Sequence, residues 1–205
     1  MRTAGLAIVT MLALAGLVLA QDSRVDFAIS GAGVFSKTTS SNNGTITETP
    51  TKSVAFIGTV RYHFRPRHAI EINVGHTRNS QIFTVAQNSY RVISGITEFT
   101  ADYVFRPPAI WKFAPFVFAG GGGLRFSPGN TYINTFPAAL NVAQQTSLAF
   151  LYGGGADYPL WRMLALRFEY RGLLYKEPDF DVPTLFFTGG RAHMAEPSAG
   201  IVVKW

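Results

Sequence analysis

From Arg24 to Trp205 the chain alternates with a period of two, and this restricts its fold more than any other feature. Successive side chains of a strand point to opposite faces, so alternation gives each strand one apolar face and one small or polar face. In the first segment Val25, Phe27, Ile29 and Phe35 share one face, against Asp26, Ala28, Ser30 and Ala32. The pattern returns in segments 54–64, 70–75, 92–105, 113–126, 148–158, 164–171 and 198–205, which makes eight strands. In the fifth, Phe116, Phe118, Leu124 and Phe126 are set as the apolar face against Val117, Ala119 and Arg125. Arg106-Pro107-Pro108 ends the fourth, because proline cannot sit in a central ladder.

The connections alternate in length. Three are short, near 65–69, 106–112 and 159–163; four are long and polar, near 37–52, 77–91, 127–147 and 176–193. Short turns at one end and long loops at the other describe an all-β, eight-stranded antiparallel up-and-down transmembrane β-barrel, with short periplasmic turns and long extracellular loops. A helical membrane bundle is excluded, since it needs several apolar runs of about 20 residues. The one such run, residues 4–20, follows Arg2 and precedes polar Gln21-Asp22-Ser23. That arrangement reads as a cleavable signal peptide over 1–20, leaving 21–205 as the barrel. There are no cysteines, so no disulfide framework is expected.

A soluble barrel of eight strands would also alternate, with its apolar face inward. Aromatic residues decide for the membrane. Tyr62, Phe64, Tyr103, Phe105, Trp111, Phe113, Tyr158, Trp161 and Trp205 all fall at the short-turn ends, as expected of a girdle at a membrane interface. The opposite face combines glycine with charges of both signs: Arg61, Glu71, Glu98, Asp102, Asp157, Arg167, Glu169 and Arg171. Small residues and paired charges suit a narrow lumen, and these eight form the expected charge network. An eight-stranded barrel is only about wide enough for its own side chains, so the network is expected to plug it. Removing Glu169 is then expected to destabilise the barrel or make it leak.

Segments 113–123, 150–160 and 164–172 resemble the second half of the OmpA-like and opacity-type outer-membrane barrels, and Ser-Ala-Gly-Ile-Val-Val-Lys-Trp205 is similar to their C-terminal strand. The resemblance implies residence in the bacterial outer membrane and contact with its lipid. It also implies recognition of Ile201, Val203 and the terminal aromatic Trp205 as an assembly signal by the barrel-assembly machinery, with periplasmic chaperones on the way. Members usually end in Phe. Their frequent peptidoglycan-binding domain has no counterpart among these residues. Function carries over poorly within such a fold family.

The chain offers little for catalysis. The glycine runs at 120–123 and 153–155 have no following Lys-Ser or Lys-Thr and open no helix, so they are not phosphate cradles. They instead make room for bulky neighbours across the lumen or let an adjacent aromatic cover the backbone. No Ser stands two residues after His63, His68, His76 or His193, which removes the His–Ser arrangement of lipid deacylases. No metal, cofactor or enzymatic activity is expected. The net charge of +6 comes from scattered Lys and Arg with no stripe, so nucleic acid is not an expected partner. What remains is a structural or adhesion-like role, with an extracellular ligand bound through the loops. A narrow channel through the charged lumen is the alternative, and a lipid-modifying enzyme comes third. Leu185, Phe186 and Phe187 in the last long loop are expected either at a binding surface or folded over the barrel mouth as a lid.

Overall fold

The computed structural model describes residues 24–41 and 44–205; the expected signal peptide lies outside the described residues. Eight long strands follow one another: β1 (Val25–Ser36), β2 (Ser53–Arg65), β3 (His68–Val85), β4 (Asn88–Phe105), β5 (Ala114–Ile133), β6 (Gln145–Pro159), β7 (Leu164–Lys176) and β8 (Arg191–Lys204). Each pairs antiparallel with the next, and β8 pairs with β1 from Asp26↔Lys204 to Ser36↔Met194. The sheet therefore closes on itself and leaves no barrel edge, the condition for a sheet to exist in lipid. At the seam Trp205 N donates to Val25 O at 2.8 Å and Val25 N to Trp205 O at 3.2 Å.

Outward side chains form an apolar band. Ile29, Phe56, Ile72, Phe99, Val117, Phe150, Phe168 and Ile201 are all exposed on it. Tyr62, Phe64, Tyr103 and Phe113 sit at its periplasmic end, where Trp111 is 96% and Trp161 71% exposed in the turns. In a soluble protein so much exposed apolar surface would drive aggregation; in a bilayer it faces its solvent.

Two expectations are corrected. Segment 77–91 is not a loop: β3 and β4 run on as paired strands to Val85↔Asn88, leaving a two-residue turn at Ala86-Gln87. The turn lacks the usual glycine and holds Ala86 at φ +52°, so no turn signal marks it. Segments Thr39–Ser40 and Ile46–Pro50 extend this overhang, Ile46–Pro50 pairing with β3, and Phe136–Pro137 adds to β5. Secondly, β5 is turned the other way. Phe116, Phe118, Leu124 and Phe126 point into the barrel and are buried, while Val117 and Arg125 point outward. Over residues 116–124 both faces of β5 are apolar or glycine, so alternation alone could not fix its phase there.

The interior is layered. Ala28, Ala165 and Val202 fill the periplasmic end. Charged residues occupy the middle. Toward the extracellular end lies an apolar core including Val34, Ile57, Phe83, Ile96, Leu124, Leu151 and Leu173.

Candidate functional site

All eight residues of the expected charge network point inward and are buried. Seven of them separate into two clusters that tie opposite walls together. In the first, Arg61 on β2 pairs with Glu71 on β3, and Arg167 on β7 donates to Asp157 on β6 through Nε at 2.8 Å and Nη2 at 3.2 Å. Each arginine also reaches the other carboxylate, Arg61 Nη1 lying 3.7 Å from Asp157 Oδ2 and Arg167 Nη1 3.6 Å from Glu71 Oε2. Four alternating charges thus close a ring across the lumen. The Phe116 ring packs against both guanidiniums, with centroid distances of 4.2 Å to Arg61 and 5.0 Å to Arg167. A desolvated arginine over an aromatic face is attracted by the ring quadrupole, which accounts for the inward turn of this phenylalanine.

The second cluster is centred on Arg171 of β7. Its guanidinium donates to Glu98 across the lumen on β4 and to Glu196 on β8 at 3.3 Å, and lies 3.7 Å from Glu169. Thr100 Oγ1 donates to Glu98 at 3.0 Å. One cation therefore serves three buried carboxylates. Asp102 is held separately, by a chain in which Thr59 Oγ1 donates to Asn73 Oδ1 at 2.7 Å and Asn73 Nδ2 to Asp102 Oδ2 at 2.8 Å. Toward the periplasmic mouth, His63 Nε2 and Asp26 Oδ2 are 2.7 Å apart.

Sequence reasoning missed Asp26, Asn73, Glu196 and Phe116. Asp26 and Asn73 stand at inward positions of assigned strands and were within reach by parity. Glu196 precedes the assigned start of the last strand, whereas β8 begins at Arg191. The glycine run at 153–155 acts as expected. A Cβ on Gly155 would come within 2.8 Å of the Phe116 ring, and one on Gly153 within 2.5 Å of Phe118. The two rings thus lie directly on the bare backbone of β6.

Above the charges, segment 177–190 folds into the mouth as a lid. It carries one helical turn, α1 (Pro183–Phe186). Phe180 and Phe186 are buried; Phe186 stacks on Phe83 with centroids 4.4 Å apart, and Phe180 meets Phe126 edge-on at 6.3 Å. Gln145 Oε1 accepts from the backbone N–H groups of Asp179 and Phe180, both at 2.9 Å. Phe187 stays exposed and Leu185 is partly buried, so the lid expectation holds for Phe186 and Leu185 only.

A carboxyl pair fastens the lid beyond the membrane. Glu177 accepts from Thr39 and Thr188 hydroxyls and faces the buried Glu48 of segment Ile46–Pro50. Burial, then the charge of Glu177, hold the Glu48 carboxyl well above the ordinary glutamate value of 4.5; burial also raises Glu177. A carboxyl whose folded pKa is raised contributes stability that is complete below the unfolded value and is lost as pH rises through the folded one. Lid amides are therefore expected to be best protected from hydrogen exchange below about pH 4.5 and to open progressively as pH rises. Glu48→Gln should flatten that dependence, measured by hydrogen exchange over 177–190.

A closed barrel with an apolar belt, an aromatic girdle and a filled interior defines an integral protein of the bacterial outer membrane. The sequence matches the outer membrane protein beta-barrel domain over residues 4–189, and the chain belongs to that family. Among solved structures it is similar in fold to Neisserial surface protein A, at 14% identity and TM-score 0.52, covering 87% of this chain and 97% of that one. It is likewise similar to OprG of Pseudomonas aeruginosa, at 12% identity and TM-score 0.50, covering 92% and 99%. No curated protein sequence matches the chain.

Proposed function

We propose that this protein is a non-conducting outer-membrane barrel that acts at the cell surface, through the strands and segments overhanging the extracellular mouth. The observation that carries this reading is closure of the interior at two levels. Cross-lumen ion pairs run from β2–β3 to β6–β7 and from β4 to β7. Above them Phe83, Phe126, Phe180 and Phe186 pack into an apolar seal. Opening a water path would require breaking buried ion pairs, each break leaving a charge unpaired in a low-dielectric site. The overhang, by contrast, is paired backbone standing clear of the bilayer: the β3–β4 hairpin, flanked by Ile46–Pro50 on one side and the end of β5 on the other. Binding residues on rigid strands are more precisely held than those on free loops.

Protein inserted in planar bilayers should give no discrete conductance steps, and a variant lacking 178–189 should remain silent because the ionic layer persists. Regular steps from the intact protein would overturn this reading in favour of a narrow channel. On the surface side, replacing residues 80–94 by a tight turn should abolish adhesion of displaying cells to extracellular matrix while the barrel still folds. Assembly through the Ile201, Val203 and Trp205 face belongs to the same proposal: Trp205→Ala should slow membrane insertion without altering the fold once inserted.

A further inference from the structure

Charge is sorted by face in this barrel. The seven carboxylates of the barrel strands are all buried in the lumen. The outward face above the apolar band carries cations instead. On four adjacent strands in succession stand Lys176 at the end of β7, Arg191 at the start of β8, Lys37 just beyond β1 and Lys52 just before β2, all exposed. Lys176 and Arg191 are direct cross-strand partners, and Lys37 N donates to His193 O at 3.0 Å, which places it on the neighbouring rung. Arg78 and Arg125 continue the rim on β3 and β5, and Arg91 stands above it on the β3–β4 overhang. Among the described residues the ion pairs lie inside the barrel, and none engages these seven cations. The acids left on the extracellular side outside the strands are the buried Glu48 and Glu177 and, in the lid, Asp179 and Asp181.

We infer that the β7–β8–β1–β2 rim binds the phosphate groups of lipids in the outer leaflet. Strands lie about 4.8 Å apart, so four adjacent cations span roughly 14 Å, the scale of one or two lipid headgroups. The cations also have the two-part surroundings of an interfacial site. Lys52 Nζ stands 5.8 Å from the centroid of Phe35, and Lys176 Nζ 5.7 Å from that of Phe187. Phe35, Phe150 and Leu174 lie exposed on the same outer face, where they would meet acyl chains. Long basic stems lying over aromatic rings with their heads at headgroup level are the form in which Lys and Arg anchor at an interface. A free anion would have no use for the apolar shelf beneath, so the lipid is favoured over a soluble polyanion. This site lies on the outer wall and is independent of what the overhang binds.

The test uses the full chain refolded in phosphatidylcholine nanodiscs doped with lipid A, or with lipid A whose phosphates have been removed. Native mass spectrometry then reads the lipid retained. Phosphorylated lipid A should be retained and the dephosphorylated form not. Retention should fall roughly fivefold for each cation removed at low salt, through Lys176→Gln, Arg191→Gln, Lys37→Gln and Lys52→Gln. Arg65→Gln and Arg67→Gln at the periplasmic turns serve as controls that should leave retention unchanged, and the heat-dependent gel shift verifies folding of every variant. Equal retention of both lipids, or insensitivity to the four substitutions, would overturn the assignment. Equal affinity for inorganic phosphate in detergent would mean a free-anion site and would overturn the lipid.

Discussion

Arg171→Met should destabilise the barrel by about 3–5 kcal/mol, the range found when one partner of a buried ion pair is removed. Among the described residues Arg171 is the one cation in contact with Glu98, Glu169 and Glu196, which are buried around it. Methionine fills much of the same volume, so packing is nearly kept and the loss is electrostatic. Urea titration in lipid vesicles, followed by the gel shift of folded barrel, measures it. The triple variant Arg171→Met, Glu98→Gln, Glu196→Gln should recover most of the loss, since it removes the two more closely held of the three charges left behind along with their partner. This changes the weight given to Glu169. Its carboxylate makes the longest contact with Arg171, 3.7 Å, and stands among like charges. Glu169→Gln should therefore cost far less than loss of the arginine. A large loss at Glu169 and a small one at Arg171 would mean the cluster is organised the other way round.

Phe116→Ala should cost about as much, roughly 3–5 kcal/mol for a buried phenylalanine, and it should act on the ionic ring as well as on the core. The ring of Phe116 covers Gly155 and packs against the guanidiniums of Arg61 and Arg167. Its removal opens a cavity beside two charges, which water can enter. Phe116→Leu should restore part of the packing and none of the cation–π contact, which is worth about 2 kcal/mol when desolvated. The stability that leucine fails to restore, read against the native protein in urea titration, reports that contact. If leucine restored full stability, the aromatic face would have no special part, and the inward turn of β5 would rest on volume alone.

The charge network was legible from sequence because parity exposes it. Arg167, Glu169 and Arg171 stand two apart on one strand, and Glu71, Glu98, Asp102 and Asp157 each alternate with residues that must face lipid. A charge beside such residues has only one place to go. The pairing within the network was not legible. Arg61 lies ten residues from Glu71 but also touches Asp157 across the lumen, and Arg171 finds Glu98 on β4. Those choices depend on strand stagger around the closed barrel and on its bulges, between His63 and Arg65 and between Val92 and Ser94.

Alternation determined by itself that this chain makes strands, how many, and which side of most of them meets lipid, because a bilayer accepts only apolar side chains over a band about 25 Å tall. Only the tertiary structure decided the rest. The phase of β5 followed from Phe116 and Phe118 finding glycine backbone and arginine to cover, since over residues 116–124 its two faces were equally acceptable to lipid. The lid followed from an apolar core at the extracellular end that needed Phe180 and Phe186 to seal it. Each is a contact between residues far apart in the chain, and a period of two carries no information about which distant side chains will meet.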